Sequence, residues 1–302
     1  MSDLNSEPCA SCAYDIRADL GEGPVWISSE NAVYFVDING RKVHRFTPGL
    51  GEAHHWVAPG KVAFLLPVED GTFLAGLPDG LYRFDPQASS FEKELDVEAD
   101  KPGNRLNDGC VDLHGRGWFG TMDDSEEAPS GSLYSVHHTA EGFVLRHHDT
   151  GYTVANGPAV SPDGKLLYAC DTPNGVIYRF DLSADGALSN KRIFVNLPED
   201  KGYPDGVVSD SEGNIWCSTW NGAHVRCFTP DGVERASFAV PAMNVTKVAF
   251  GGDDRKTAYV TSARQGLSDA VLAQYPQSGS LFTFRADKAG LPQHRIALVK
   301  AD

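Results

Sequence analysis

The chain reads Glu22-Gly23-Pro24-Val25-Trp26 close to its N-terminus, and this stretch decides the fold because it recurs. Each clear copy begins with an oxygen-bearing side chain beside a glycine, and a Gly-containing turn and a hydrophobic, aromatic strand follow it. The other clear copies are Asn107-Asp108-Gly109-Cys110-Val111, Asn156-Gly157-Pro158-Ala159-Val160 and Asp205-Gly206-Val207-Val208. Weaker copies begin at Val62 and Val245, which brings the number of repeats to six.

The repeat has the length of a propeller blade. Reference positions in the hydrophobic strands lie 39, 45, 49, 48 and 43 residues apart. These positions are Phe35, Leu74, Phe119, Tyr168, Trp216 and Tyr259. A period of roughly 40 to 50 residues built from strands is typical of β-propellers. Because each repeat also carries a third sheet-like segment, such as residues 176–180, we predict an all-β, six-bladed β-propeller.

The repeats run from residue 22 to residue 286 without a change in composition, which predicts a single propeller domain over residues 13–302. Residues 1–12 are polar and lack periodicity, which predicts a flexible N-terminal tail. A strand-like segment at residues 14–20 follows, and we expect it to pair with the last blade. A closed propeller has few free sheet edges, so we expect a monomer.

The chain is acidic, with 41 Asp and Glu against 26 Lys and Arg and a formal net charge of −15. Such a charge repels phosphate backbones and anionic membrane surfaces, so we expect neither a nucleic-acid nor a membrane partner. The sequence has no apolar run of the ~18 residues that a membrane span needs, and its start does not resemble a secretory signal. We therefore expect a cytoplasmic protein.

The cysteines and histidines give no catalytic signature. In a cytoplasmic chain the six cysteines predict free thiols rather than a disulfide framework. Cys9 and Cys12 have redox or metal spacing, but no second pair accompanies them. The paired histidines fall in the outer parts of the predicted blades, where we expect them to be solvated, and they are His54-His55, His137-His138 and His147-His148.

One oxygen-bearing side chain holds the same position in every clear repeat, 11 or 12 residues before an aromatic residue of the following strand (Tyr34, Phe119, Tyr168 or Trp216). These residues are Glu22, Asn107, Asn156 and Asp205. The first strand of a blade lines the central channel, so they would converge near the axis. They could be turn residues that hydrogen-bond to their own backbone. The alternative is a metal site of Glu22, Asn156 and Asp205, with Asn107 and Asp108 beside it.

Carboxylate and amide oxygens favour one divalent ion such as Ca²⁺, Mg²⁺, Mn²⁺, Fe²⁺ or Zn²⁺. Three protein ligands would leave coordination positions open for water and substrate, as a Lewis-acid catalyst requires. Polar residues near the ring could bind a polyhydroxylated or carbonyl substrate, although each could equally be a solvated loop residue. They are Arg105, Asn107, Asp124, Glu126, Tyr152, Asn244 and Lys247.

At these residues the chain resembles the SMP-30/gluconolactonase/LRE-like family, from about Tyr14 to Val299. The resemblance rests on several motifs in order, and these are Gly21-Glu22-Gly23-Pro24-Val25-Trp26, Arg105-Leu106-Asn107-Asp108-Gly109, Gly120-Thr121-Met122, Asn156-Gly157-Pro158, Ser161-Pro162-Asp163-Gly164 and Pro204-Asp205-Gly206. Three further motifs resemble the bacterial sugar-lactonase branch, which includes enzymes acting on pentonolactones such as xylonolactone or arabinonolactone. They are Asn244-Val245-Thr246-Lys247, Phe250-Gly251-Gly252 and Thr261-Ser262-Ala263-Arg264.

The resemblance implies a six-bladed propeller with one divalent metal ion in the channel. Carried over by motif, the metal ligands would be Glu22, Asn156 and Asp205. The resemblance also implies that Asn107 contacts the substrate or the water at the ion, and that Arg105 donates to sugar hydroxyls. Some members place a substrate-binding Glu three residues after Gly-Thr-Met. This chain has Ser125 there, so Asp124 or Glu126 would make that contact.

The implied reaction is metal-dependent hydrolysis of a sugar lactone, a pentonolactone or gluconolactone, to the aldonic acid. The ion would polarise the lactone carbonyl, and water, activated at the ion or by a carboxylate, would attack it. Asp205 is the first candidate for the general base and Asp108 the second. Two alternatives remain open. One is an aryl-ester or phosphotriester hydrolase with a channel metal, and the other is a non-enzymatic propeller that binds calcium or a protein.

Overall fold

A computed structural model describes residues 9–299, which form 24 β-strands, one short α-helix and two 3₁₀ turns. The strands are β1 (Ser11–Tyr14), β2 (Gly21–Ile27), β3 (Ala32–Asp37), β4 (Lys42–Thr47), β5 (Glu52–Val57), β6 (Phe64–Pro67), β7 (Phe73–Leu77), β8 (Gly80–Asp85), β9 (Ser90–Asp96), β10 (Asn104–Val111), β11 (Gly117–Asp123), β12 (Gly131–Thr139), β13 (Gly142–Tyr152), β14 (Ala155–Val160), β15 (Leu166–Asp171), β16 (Val176–Leu182), β17 (Leu188–Asn196), β18 (Tyr203–Ser209), β19 (Ile215–Trp220), β20 (His224–Phe228), β21 (Glu234–Ala239), β22 (Asn244–Gly251), β23 (Thr257–Ala263) and β24 (Leu281–Arg285). The helix is α1 (Asp269–Gln274), and the 3₁₀ turns are Ser28–Glu30 and Glu199–Lys201.

These strands form six four-stranded antiparallel sheets, one per repeat. Blades 1 to 5 are β2–β5, β6–β9, β10–β13, β14–β17 and β18–β21, and blade 6 is β22–β24 with β1. The first strand of each blade, β2, β6, β10, β14, β18 or β22, packs against the first strands of its neighbours, so these strands close a ring around the central channel. The predicted six-bladed β-propeller is therefore confirmed.

The N-terminal strand closes the ring, but it begins earlier than the sequence indicated. β1 pairs antiparallel with β24, with Ser11 opposite Thr283 and Cys12 opposite Phe282. The prediction of pairing with the last blade is correct, whereas residues 11 and 12 belong to the strand rather than to a tail. Residues 15–19 are not a strand, and the backbone N–H groups of Asp19 and Leu20 donate to the carboxylate of Asp37 instead of to a ladder. Residues 1–8 of the predicted tail lie outside the described residues.

Aromatic side chains join neighbouring blades. Trp26 of blade 1 stacks on Tyr259 of blade 6, with ring centroids 5.3 Å apart. Phe64 and Phe119 join blades 2 and 3 at 5.7 Å. Such aromatic pairs add about 0.5–1.5 kcal/mol beyond the area they bury. The aromatic positions that defined the repeat in the sequence therefore hold the blades together.

A buried tryptophan is braced by an aspartate in two blades. In blade 5 the Asp210 carboxylate accepts from Trp216 Nε1 at 3.0 Å and from Asn214 Nδ2 at 2.8 Å. It also accepts from the backbone N–H groups of Glu212 and Asn214. Asp112 braces Trp118 of blade 3 in the same way, at 2.8 Å. Each carboxylate satisfies donors that would otherwise be buried without partners.

We expect Asp210→Ala to lower the free energy of unfolding by about 2–3 kcal/mol, because it leaves the buried Trp216 and Asn214 donors unsatisfied. Denaturant unfolding measures this loss. Glu212→Ala in the same turn is the matched control, since the exposed Glu212–Lys288 ion pair is worth about 0–1 kcal/mol. Equal stability of the two variants would contradict the brace.

The cysteines are free and the paired histidines lie on outer strands, as predicted, but not all of these histidines are solvated: His148 packs on Trp118 and hydrogen-bonds to Ser135. All six cysteines are free, and Cys170, Cys217 and Cys227 are buried. The paired histidines lie on outer strands, in β5, β12 and β13. No helix within residues 9–299 is long and apolar enough to cross a membrane.

Candidate metal centre and active site

Breaks in strand pairing shape the entrance of the channel. In five of the six blades the register between the first and second strands shifts at the ring position. The shift lies between Glu22 and Val25 in blade 1 and between Asn156 and Ala159 in blade 4. Such bulges re-aim side chains, and they are common beside active sites. Gly157 has φ of 81° within its bulge, a conformation that glycine adopts without strain.

A cavity of about 270 Å³ opens at this end of the channel. Its polar wall consists of Glu22, Arg105, Asn107, Glu126, Asn156, Thr172, Asp205 and Gln265. Its apolar wall consists of Leu20, Ile38, Met122, Val154, Pro173, Tyr203 and Trp220. The volume lies near the lower end of the ~300–1,000 Å³ of ligand pockets, which suits a small molecule.

The three predicted metal ligands line this cavity and are buried, with 3–6 % of each residue exposed. Glu22 Oε2 accepts from the backbone N–H of Gly23 at 2.9 Å. Asn156 Nδ2 donates to Thr172 Oγ1 at 2.9 Å, which fixes the orientation of the amide. Asp205 Oδ1 is buried and has no hydrogen-bond partner within the described part of the chain. The structure thus brings all three side chains to one small cavity.

Buried negative charge dominates this end of the channel. Burial, followed by the nearby charge of Asp108, raises the pKa of Glu22 to about 8. Burial also raises the pKa of Asp205 well above its usual range, with Glu22 and Asp108 adding to the shift. Buried carboxylates that repel one another are costly unless a cation or protons compensate them.

This donor set fits a divalent cation. Glu22 and Asp205 offer two carboxylates, one of them with an unpartnered buried oxygen, and Asn156 Oδ1 offers a neutral oxygen. Hard and borderline divalent ions prefer such ligands. Within residues 9–299, no three His, Cys, Asp or Glu side chains group closely enough to hold an ion without help. The amide oxygen of Asn156 is therefore needed to complete the set.

Arg105 and Asn107 form a hydrogen-bonded network on the polar wall. Arg105 Nη1 donates to Asn107 Oδ1 at 2.7 Å, and Arg105 Nε donates to Asp124 Oδ1 at 2.7 Å. Asn107 Nδ2 then donates to Asn156 Oδ1 at 2.8 Å and to Ala155 O at 3.1 Å. Both N–H groups of Asn107 are thus engaged by the protein, and a lone pair on its Oδ1 remains for a ligand. Arg105 Nη2 is available to donate.

Glu126 also lines the cavity, whereas Asp124 supports it from behind. Asp124 is held by Arg105 and by Lys61 Nζ at 2.7 Å, so its carboxylate is committed to two cations. Glu126 follows Asp123, whose carboxylate accepts from the backbone N–H groups of residues 125, 127 and 128 and so organises this loop. Of the two acidic residues predicted as substrate contacts, only Glu126 faces the cavity.

Three other residues that the sequence indicated as possible substrate contacts do not line this cavity. Tyr152 is buried, and its hydroxyl donates to Asp149 at 2.7 Å. Asn244 holds the backbone of Gln265 and Asn221. Lys247 passes below the ring, where Nζ contacts Asp108 Oδ1 at 2.6 Å. None of the three residues contributes to the walls of the cavity.

The apolar wall was not predicted from the sequence, because its residues carry no shared motif. Ile38 and Pro173 come from connections that follow the second strands of blades 1 and 4, as does Gln265 of the polar wall in blade 6. Tyr203 and Trp220 stand opposite each other at the end of the β18–β19 pair. The only sequence signal is their position next to the ring, at the channel ends of their blades.

A second, smaller cavity of about 100 Å³ lies on the other side of the ring. Valines and alanines of the inner strands line it, together with Lys247, and residues 291–294 close its outer end. It shares no lining residue with the first cavity. Asp108 and Lys247 are buried at the level that separates the two cavities.

A six-bladed propeller with an acidic, oxygen-lined cavity at one end of its channel defines the class of this protein. Residues 20–264 match the sequence model described as SMP-30/Gluconolactonase/LRE-like region. The chain therefore belongs to the SMP-30/gluconolactonase/LRE-like family.

Named relatives share nearly the whole length of the chain. An L-arabinolactonase of Azospirillum brasilense is 34% identical over 300 residues, which cover 98% of each chain. A 6-deoxy-6-sulfogluconolactonase of Pseudomonas putida is 34% identical over 279 residues, covering 92% of this chain and 95% of that protein. The crystal structure of a calcium-binding protein, regucalcin, from Agrobacterium tumefaciens superposes with a TM-score of 0.90 at 29% identity, covering 97% of this chain and 99% of the other.

Proposed function

We propose that this protein hydrolyses an uncharged sugar lactone to the aldonic acid, with one divalent metal ion held by Glu22, Asn156 and Asp205. The observation that carries the proposal is the buried, unpartnered Oδ1 atom of Asp205 in a cavity that has a polar wall and an apolar wall. Two relatives are named for their action on sugar lactones, and one of these lactones, L-arabinolactone, is a pentonolactone; both names support the substrate class.

The two walls suit the two faces of a small sugar ring. Arg105 Nη2, Glu126 and Gln265 supply donors and acceptors for hydroxyl groups, while Ile38, Val154 and Trp220 would pack against C–H groups. An aryl ester or phosphotriester would leave the buried polar wall without partners, which costs affinity. A pentonolactone or gluconolactone makes use of both walls.

A bound divalent ion would supply Lewis-acid polarisation of the lactone carbonyl at Glu22, Asn156 and Asp205. Asn107 holds the Asn156 amide oxygen in place, and Arg105 holds Asn107. Asp205 is the proposed general base, because Oδ1 is unpartnered at the cavity. Asp108 is the weaker candidate: its Oδ2 is also buried without a partner, but the residue does not line the cavity, and its Oδ1 already accepts from Lys247 Nζ and from Gly109 N.

The reaction needs one proton transfer in each direction. Asp205 takes a proton from water as the water oxygen bonds to the carbonyl carbon. The ring C–O bond then breaks, and the proton passes to the departing ring oxygen, which becomes a hydroxyl group. The product is the open-chain aldonic acid, which ionises at neutral pH and releases one proton to the solvent.

Proton release from xylono-, arabino-, galactono- and gluconolactone tests the proposal. The protein is first stripped of metal, and each divalent ion is then restored in turn. We expect ion-dependent hydrolysis well above the spontaneous rate. Binding of one ion per chain without acceleration of any lactone would contradict the proposal and favour a binding protein, and faster turnover of aryl esters than of lactones would favour the esterase.

Charge at the cavity wall further narrows the substrate. Of the described residues that line the cavity, Arg105 is the only cation, and Asp124 already neutralises it. Glu126 adds a carboxylate at the wall. An anionic substituent on the sugar, such as the sulfonate of 6-deoxy-6-sulfogluconolactone, would be repelled, so we propose an uncharged lactone.

We expect Glu126→Lys to raise the kcat/KM for sulfogluconolactone relative to gluconolactone by about tenfold or more, because it replaces repulsion by attraction. The matched control is Glu127→Lys, which makes the same charge change at an exposed neighbour that does not line the cavity. An equal shift in both variants would show that net charge, rather than the cavity wall, selects the substrate.

A further inference from the structure

Lys247 is a buried lysine that the proposed reaction does not use. Only 5 % of the residue is exposed, and it lies on β22, the innermost strand of blade 6. Its Nζ donates to Asp108 Oδ1 at 2.6 Å and to Gly109 O at 3.1 Å, both on β10 of blade 3, across the channel. A third, longer contact reaches Gly157 O at 3.5 Å. The lysine therefore spans the channel below the ring.

The chain makes room for this side chain next to the proposed ligands. A Cβ atom at Gly206 would lie 2.5 Å from Lys247 Cγ, so no larger residue fits there without displacing the lysine. Gly206 directly follows Asp205, and Gly157 directly follows Asn156. Lys247 thus contacts the glycines that follow two of the proposed ligands, while its ammonium group pairs with Asp108, which does not line the 270 Å³ cavity.

The buried charges around the channel match one divalent ion only when Lys247 is counted. Glu22, Asp108 and Asp205 are three buried carboxylates, and Lys247 contributes one buried positive charge. Asp124 neutralises the remaining buried cation, Arg105, at 2.7 Å. If all of these groups are ionised, two negative charges remain, which match one divalent ion.

We propose that Lys247 is a positioning residue of the metal centre: its ammonium is a fixed countercharge that occupies Asp108, so that Glu22 and Asp205 remain as a doubly negative site for one divalent ion. This inference rests on the proposed metal site. Its chemical basis is that an ammonium group held by carboxylate and carbonyl oxygens occupies a position that a free cation could otherwise take. Lys247 also engages one oxygen of Asp108, which lies beside the ring and does not line the cavity, so Asp108 is less suited than Asp205 to act as a ligand or base.

A charge cycle on ion affinity tests the proposal. The variants are Asp108→Asn, Lys247→Met and the double variant, and the probes are Ca²⁺ and Tb³⁺, measured by calorimetry and by terbium luminescence with each protein stripped of metal. Asp108→Asn leaves an uncompensated ammonium group, and we expect Ca²⁺ to bind at least about tenfold more weakly. Lys247→Met leaves a triply negative site, and we expect the preference for Tb³⁺ over Ca²⁺ to rise about tenfold or more.

The double variant removes both charges together, so we expect its Ca²⁺ affinity to return to within about threefold of the parent protein. A merely structural pair would instead weaken binding in all three variants without changing the Tb³⁺ to Ca²⁺ preference, and that result would overturn the inference. If Lys247→Met does not fold, recovery of Ca²⁺ affinity from Asp108→Asn to the double variant still decides the question. A parent protein that binds no divalent ion would overturn the proposed function instead.

Discussion

Asp205→Asn is expected to lower kcat/KM for the best lactone by about 10³-fold or more. General-base catalysis alone contributes about 10²–10⁴-fold, and the same carboxylate is a proposed ligand of the ion. The substitution keeps the size of the side chain and removes the charge. We therefore also expect weaker ion binding, which can be measured by metal analysis and by titration of the stripped protein.

Stability gives this variant a second signature. Burial and the charges of Glu22 and Asp108 make an ionised Asp205 unfavourable in the ion-free protein. We expect Asp205→Asn to unfold at a higher temperature than the parent when both are stripped of metal, and to gain less stability when the ion is restored. Functional sites commonly carry such a cost in stability.

The matched control is Asp210→Asn. Asp210 follows β18, the strand that carries Asp205, but its carboxylate accepts a hydrogen bond from Trp216 and does not line the cavity. This variant should lose stability and keep the ion affinity of the parent protein. Full ion content with normal turnover in Asp205→Asn would contradict both roles assigned to Asp205. Full ion content with slow turnover would leave it as the base and remove it as a ligand.

The phase of the repeat is what made much of the site predictable. Glu22, Asn156 and Asp205 lie 11 or 12 residues before an aromatic residue of the second strand of their blade, and rotational repetition of a blade places equivalent positions on one ring. The structure gives this phase a physical basis in the bulges of the innermost strands. The repeat length of 39 to 49 residues was also enough to predict the six-bladed fold.

The outer strands show where the pattern gives no signal. β5 (Glu52–Val57) is exposed along nearly all of its length, and its sequence has no apolar face to mark it as a strand. Its backbone pairs with β4 throughout, from Thr47–Glu52 to Lys42–Val57. Outermost strands of this kind are held by backbone hydrogen bonds to the third strand and not by burial of an apolar face. A sequence pattern detects apolar faces, so the sequence indicated only three strands per blade.

Lys247 shows a different limit. It lies close to the ring along the chain, so the sequence indicated it as one of the possible substrate contacts. The direction of the Lys247 side chain depends on Gly206 of the neighbouring blade 5, which has no side chain to block it, and on Asp108 across the channel. These contacts join residues about 40 and 140 positions apart, and no local pattern encodes them.

Removal of the ion should make the stability of the protein depend steeply on pH. In the ion-free protein the pKa of Glu22 is raised to about 8 from an ordinary value of 4.5, mainly by burial. The pKa of Asp108 and that of Asp205 are also raised. Between pH 4.5 and 8 the folded state therefore holds more protons than the unfolded state, and stability falls as pH rises through this window.

For Glu22 alone the loss is on the order of 4 kcal/mol across this window, which corresponds to roughly 10 °C in the unfolding midpoint of a chain of this size. A bound divalent ion takes the place of the protons, so the ion-loaded protein should lose much less stability over the same range. Thermal unfolding of stripped and reloaded protein at pH 5 and pH 8 measures the difference, and the comparison cancels groups remote from the site.

Glu22→Gln separates the site from the rest of the molecule, because it removes the group with the raised pKa while keeping its shape. We expect the stripped variant to lose clearly less stability than the stripped parent between pH 5 and pH 8, and the loss that remains comes from Asp108 and Asp205, whose pKa values are also raised. If it loses stability as steeply as the stripped parent, the pH dependence arises elsewhere. If the stripped and reloaded parent proteins respond equally to pH, no ion compensates the buried carboxylates, and Glu22 and Asp205 are then not its ligands.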